Sequence, residues 1–198
     1  MHQSSLANME QFCQRYLDGF RADPLTIYDI GSSDVNGSYR PLFSAPQWRY
    51  IGVDMAAGEN VDMVLDDIYR WQQIPDGGAD VVISGQAFEH IEYIWITMLE
   101  IFRILKPGGL CCIIAPSGGY EHRYPLDCWR FYGDGFRALA RYASLDVVEA
   151  TTENDHGSYS DDSLLWRDTM LVARKPHFNP LTRLKAAVKH RLLRELSL

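Results

Sequence analysis

The apolar positions of this chain follow two periods in alternation. Residues 25–30, 48–53, 61–65, 79–84 and 110–115 are short apolar runs closed by glycine, proline or acidic turn residues. Such runs predict strands. L-C-C-I-I-A at 110–115 is apolar throughout, as a parallel strand buried on both faces must be. Between these runs the spacing becomes helical. Leu6, Met9, Phe12, Cys13, Tyr16, Leu17 and Phe20 share one face of residues 1–20, and Asp23-Pro24 ends that element. Ile91, Ile94, Trp95, Met98, Leu99, Phe102 and Leu105 share one face of residues 88–105, which Pro107-Gly108-Gly109 stops. Residues 129–143 read as a further helix, 40–46 and 68–73 as shorter pieces, and 145–150 and 169–174 as the last strands. This alternation predicts an α/β fold with a parallel sheet wrapped on both faces. The expected organisation is an N-terminal helix over 1–24, a ligand-binding domain over 25–175 and a basic amphipathic tail over 176–198. The first helix is expected to cover the sheet, with a lid over the ligand as the alternative.

Candidate chemistry concentrates at residues 27–54. I-Y-D-I-G-S-S-D-V-N-G at 27–37 is a strand running into a glycine turn, and the second strand ends at Asp54, 23 residues beyond Gly31. A glycine turn lets backbone approach a ligand closely, and an acid about 20 residues further on accepts hydrogen bonds from ribose hydroxyls. A pyrophosphate is not the ligand. Ser33 stands at the second glycine position, and Asp29 and Asp34 would repel phosphate. Asp29, Asp34 and Asp54 suit a ligand with a cationic part and a ribose. S-adenosylmethionine, with its sulfonium, ammonium and adenosine, is such a ligand.

Composition narrows the partners. A chain of 198 residues, 46% apolar and 23% charged, reads as one soluble globular domain. Its net charge of −7 argues against a nucleic-acid surface. No apolar run is long enough to span a bilayer, and no signal-peptide pattern is visible. Cys13, Cys111, Cys112 and Cys128 form no C-x-x-C pair, so reduced thiols and a cytoplasmic location are expected. In the tail, Leu184, Val188, Leu192 and Leu196 stand against Arg183, Lys185, Lys189, Arg191 and Arg194. Such a helix lies on an anionic membrane, docks on a partner, or packs on its own domain. His90, His122, His156, Asp161 and Asp162 lack metal-ligand spacing, so no metal is expected, and residues 153–162 read as a solvated acidic loop.

From about residue 25 to about residue 175, these segments together resemble the class I S-adenosylmethionine-dependent methyltransferases. Asp29-Ile30-Gly31 matches the acid-x-glycine of that family's first motif, and Asp54 matches its ribose-binding acid. Asp67-Ile68 matches the pair that holds adenine, Ala79-Asp80-Val81-Val82 opens the fourth strand, and Leu105-Lys106-Pro107-Gly108-Gly109 is the family's L-K-P-G-G turn. F-E-H-I at 88–91 is typical of its small members. H-R-Y-P-L-D-C-W-R-F at 122–131 resembles a subgroup found beside enzymes of surface-polysaccharide synthesis. The resemblance implies a Rossmann-like, doubly wound, mainly parallel seven-stranded sheet with the last strand antiparallel. It implies S-adenosylmethionine as cofactor, held by Asp29, Gly31, Ser32, Ser33, Asp54, Met55, Asp67, Ile68, Ser84 and Gln86. Ser33 departs from the pattern, since the family turn usually has glycine there.

Methyl transfer to oxygen needs alignment and a base. The expected acceptor is a hydroxyl of a sugar or another small polar molecule. His122 is the first candidate base and His90 the second, with Glu89 and Asp127 behind them. Tyr124, Trp129 and Arg130 are candidate acceptor-binding residues, although Trp129 also reads as core and Arg130 as a partner of Asp127. Two other classes stay open: an RNA methyltransferase, and a non-catalytic S-adenosylmethionine-binding interaction protein.

Overall fold

The computed structural model describes residues 2–153 and 159–197. Strands β1 (Leu25–Ile30), β2 (Trp48–Asp54), β3 (Met63–Val64), β4 (Ala79–Gly85), β5 (Leu105–Pro116), β6 (Asp146–Thr152) and β7 (Asp168–Arg174) form one sheet in the order β3-β2-β1-β4-β5-β7-β6. The first five pair in parallel, and β7 inserts between β5 and β6 antiparallel to both. The sheet is therefore the seven-stranded, doubly wound arrangement that the resemblance implied. Helices α1 (Gln3–Phe12), α2 (Ile94–Ile104), α3 (Gly133–Tyr142), α4 (Ser163–Trp166) and α5 (Pro180–Ser197) accompany it.

The central strands feed two cores alternately, because successive side chains of a strand point to opposite faces. On β5, Cys111, Ile113 and Ala115 face the layer with Met98, Phe102 and Phe136, while Leu110, Cys112 and Ile114 face Met9, Phe12 and Leu17. Cys111 and Cys112 thus lie on opposite faces, buried as free thiols.

Departures from the periodicity have local causes. The helix expected over 88–105 is broken. A tight turn, Phe88–His90, precedes extended backbone at Ile91, and α2 begins only at Ile94. The helix expected from residue 129 begins at Gly133. The N–H groups of Cys128 and Trp129 donate to the carbonyl of Glu89 at 2.7 and 3.2 Å, and that of Phe131 donates to Pro116 at 2.8 Å. Backbone donors committed sideways cannot build a helical turn. Those bonds fasten the 117–132 loop against the Glu89 turn. At the Pro107-Gly108-Gly109 stop, Gly108 has φ +85°, and its N–H donates to Lys175 across to β7. The third strand, expected over 61–65, shortens to Met63–Val64 at the sheet edge.

The C-terminal helix forms but docks by an unexpected face. Ala186, His190 and Leu193 pack on the core side, while Leu184, Val188, Leu192 and Leu196 are exposed. Arg194 pairs with the buried Glu100 of α2. No described helix is long and apolar enough to cross a membrane. Of the acidic 153–162 loop, residues 154–158, His156 among them, lie outside the described residues.

Candidate active site

After β1 the chain goes to one side of the sheet, to β2 and β3, and returns through β4 on the other side. Connections leaving in opposite directions open a crevice at the carboxyl ends of the strands. Here that crevice is a cavity of about 790 Å³, within the range of small-molecule sites. It runs from the glycine turn after β1, past the ends of β2 and β4, to the loop after β5.

The β1 end is built for close approach. Gly31 has φ +76°, and a Cβ there would meet Cβ of Ala87 at 2.4 Å. Glycine is required twice over, by backbone angle and by space. Ser33 is not among the residues with positive φ, so the serine carries no strain of that kind. Its N–H donates to Oδ2 of Asp54 at 3.0 Å, and the N–H of Met55 donates to Oδ1 at 2.7 Å. Each carboxylate oxygen keeps acceptor capacity for a ribose hydroxyl. Asp29 is buried at the cavity floor, where it accepts a short hydrogen bond from the hydroxyl of Tyr50. Burial pushes its carboxyl up to about 7.

The other expected cofactor contacts divide. Ser32, Met55, Ile68 and Gln86 line the cavity with Gly31, Ser33 and Asp54. Asp67 and Ser84 are not lining residues. Asp67 accepts from the N–H of Tyr69 at 2.8 Å, and the hydroxyl of Ser84 donates to the carbonyl of Ile30 at 2.8 Å, tying β4 to β1. Asp34 accepts from the N–H of Gly37 at 2.6 Å and so shapes the turn.

The acceptor end brings together residues from two segments. His90 and His122 stand with ring centroids 4.9 Å apart, edge to face, and Tyr124 lies within 6.0 Å of both. The Nδ1–H of His90 donates to the carbonyl of Leu126 at 2.5 Å, so Nε2 carries the free lone pair. Burial lowers the basicity of this ring. The backbone N–H of His122 donates to Asp127 at 2.7 Å, and its Nδ1 lies 3.5 Å from the same carboxylate. Two bonds from Arg130, at 2.6 and 2.8 Å, hold Asp127 ionised down to about 2. Glu89, directly before His90, is wholly buried, and desolvation pushes its carboxyl up to about 8. Of the expected acceptor-binding residues, Tyr124 lines the cavity. Trp129 donates its indole N–H to Ile91 at 2.9 Å, and Arg130 braces Asp127, both outside the lining.

Several supporting residues had no signal in the sequence. Asn60, at φ +66°, donates its side-chain amide to the carbonyl of Ser32 at 2.8 Å and pins the glycine turn. Asp168, buried at the start of β7, accepts from Gln86 at 2.8 Å and from Ser4 at 2.7 Å. Through these bonds the start of α1 reaches the site, and His2 joins the cavity wall. Their partners are 28 to 164 residues away, so no local pattern announces them.

The fold is that of the class I S-adenosylmethionine-dependent methyltransferases. Residues 29–113 match the family described as "Methyltransferase domain". An uncharacterized methyltransferase of Mycolicibacterium gilvum is 27% identical over 178 residues, covering 79% of this chain and 66% of the relative. This chain spans 62–66% of the length of the first curated relatives that it matches. The 1,6-didemethyltoxoflavin-N1-methyltransferase of Burkholderia thailandensis, solved with S-adenosylhomocysteine, shares the fold at a TM-score of 0.64 and 15% identity, covering 88% of this chain and 80% of that one. The Haemonchus contortus phosphoethanolamine N-methyltransferase 2, solved with S-adenosyl-L-methionine, does so at 0.60 and 16%, covering 88% and 52%. The Gly31 cradle, the acid at the cavity floor and Asp54 at its lip fit S-adenosylmethionine.

Proposed function

We propose that this chain methylates a hydroxyl of a sugar or another small polar acceptor. The observation that carries the proposal is one cavity with the ribose acid Asp54 at one end and Glu89, His90 and His122 at the other. S-adenosylmethionine supplies a methyl group already activated as part of a sulfonium, so the protein's task is alignment. Asp54 holds the ribose, and Ile68 flanks the adenine end. Asp29 faces the cationic methionine end, beside Gln86. The acceptor hydroxyl lies against the two histidines, with the Tyr124 ring as its wall. His122 is the first choice to take the hydroxyl proton, with Nε2 of His90 second. Two related folds carry names of N-methyltransferases, so architecture does not choose the acceptor atom. The histidine–carboxylate cluster supports oxygen, because an alcohol has to lose a proton and a neutral amine attacks without doing so. The acidic balance of the chain supports a small acceptor over nucleic acid. Four free thiols among the described residues support a cytoplasmic location.

Incubation with methyl-labelled S-adenosylmethionine and a small-molecule extract, followed by mass spectrometry, tests the proposal. A labelled methyl ether is expected. Label on nitrogen or carbon overturns the hydroxyl acceptor. His122→Ala is expected to lower the single-turnover rate by ~10²-fold or more while cofactor affinity stays near that of the parent.

A further inference from the structure

Glu89 is wholly buried, and neither oxygen of its side chain has a hydrogen-bond partner among the described residues. A carboxylate desolvated so far without a partner is costly, and it is relieved by taking up a proton, by a cationic side chain or by a bound metal ion. Its neighbours offer lone pairs in place of a cationic side chain. Nε2 of His90, freed by the Nδ1–H bond to Leu126, lies 3.7 Å from Oε1 of Glu89. His122 closes the third side, and one ligand atom from each of Glu89, His90 and His122 lies within 4.8 Å of the others. All three residues line the cavity.

We propose that Glu89, His90 and His122 bind a divalent first-row transition-metal ion. Two imidazoles and one carboxylate suit Zn²⁺, Co²⁺, Mn²⁺ or Fe²⁺ and leave coordination positions open toward the cavity, whereas Mg²⁺ favours oxygen ligands. The surroundings are those of ligating histidines. A backbone carbonyl fixes the ring of His90, and Asp127, itself clamped by Arg130, stands beside the ring of His122. Ligands at about 2.0–2.1 Å from a tetrahedral ion stand roughly 3.3 Å apart, so the three ligand atoms draw together by about 1.5 Å or less when the ion binds. The ion's role, resting on the proposed hydroxyl transfer, is to take the acceptor oxygen into an open position and lower its pKa. The O–H bond breaks, the electron pair stays on oxygen, and the proton passes to bulk water. Nothing is oxidised or reduced. With the ion bound, the two histidines act as its ligands, and activation of the hydroxyl by the ion replaces the proton transfer to His122 or His90 described above.

The test uses the full chain, stripped with EDTA and titrated with Co²⁺ in the absence of cofactor and acceptor. Visible absorption and calorimetry should show one Co²⁺ per chain, displaced by Zn²⁺. Glu89→Gln, which keeps the shape of the side chain, should lower Co²⁺ affinity by ~10²-fold or more. A parent that binds neither ion, or a Glu89→Gln protein that binds Co²⁺ as the parent does, overturns the site. A second measurement needs no variant. Zn²⁺ should shift the ring-nitrogen resonances of His90 and His122 in the parent, and shifts confined to other histidines overturn the assignment. The metal site and the hydroxyl acceptor fail separately. Full hydroxyl methylation by the EDTA-stripped protein removes the metal and leaves the acceptor standing. Zn²⁺ binding at these residues in a protein that methylates only nitrogen or carbon does the reverse.

Discussion

Asp54 shows how one residue serves both fold and ligand. Its two oxygens each accept one backbone N–H, from Ser33 and Met55, so the carboxylate locks the glycine turn onto the end of β2. The capacity that remains faces the cavity, and in the proposed reading it takes charge-assisted bonds from ribose hydroxyls, ~1.5–3 kcal/mol each. Asp54→Ala is therefore expected to weaken S-adenosylmethionine by roughly 10- to 100-fold in calorimetry, and unchanged affinity would remove the assignment. Asp67→Asn should do less, since the Asp67 carboxylate caps the N–H of Tyr69 and an amide oxygen can still accept that bond. At this scale the sequence located cavity-lining residues where they stand in a motif, as at Asp29, Gly31 and Asp54. It was uninformative about Asn60 and Asp168, whose work depends on partners distant along the chain.

At the scale of elements, the periodicity of α5 identifies the helix and not the face by which it docks, which carries Ala186, His190 and Leu193. His190 reaches the core side of α5, nearly inaccessible to solvent, with its ring 4.4 Å from that of Phe102 and Nε2 3.1 Å from the hydroxyl of Ser144. Burial, reinforced by Lys189, Arg194 and Lys175, lowers its pKa to about 4. The opposing acid on α2, Glu100, is already paired with Arg103 and Arg194. Between the ordinary value of 6.5 and about 4, the unfolded chain holds a proton on this residue that the folded chain does not. Stability present above pH 6.5 is thus lost as pH falls through that interval, by about 3 kcal/mol. Hydrogen exchange of α5 amides, corrected for intrinsic rates, should show loosening between pH 6.5 and 4.5 in the parent. His190→Gln should flatten that change, and an equal loss in the variant would assign the sensitivity elsewhere. The late start of α3 is likewise decided by tertiary contacts: the backbone donors of Cys128, Trp129 and Phe131 are claimed by Glu89 and Pro116.

For the whole molecule, the cavity is the open seam between the two halves of the sheet, so ligand and fold are linked. A molecule bound there bridges the ends of β1, β2 and β4 and stabilises the native state by mass action, about 2.7 kcal/mol at 100 times its Kd. For a chain of this size that corresponds to a rise in Tm of about 5–11 °C. Thermal denaturation with saturating S-adenosylmethionine should show it, Asp54→Ala should show much less at the same concentration, and no shift in the parent would contradict binding at this seam. The acidic surface should leave the shift insensitive to added RNA.

By itself the sequence determined the layer architecture, since strand and helix periods alternate and each run is long enough to be read locally. It also singled out the glycine turn and the acid that line one end of the cavity, because Gly31 and Asp54 stand at the ends of consecutive strands at a fixed separation. Only the tertiary structure decided what stands at the acceptor end. Glu89-His90 and His122 are 32 residues apart along the chain and meet because lateral backbone bonds fold the loop after β5 onto the turn after β4. Burial, which leaves the Glu89 carboxylate without a hydrogen-bond partner among the described residues, and the pairing of Arg130 with Asp127, which takes that guanidinium out of the cavity, are properties of packing in three dimensions. No one-dimensional spacing encodes them.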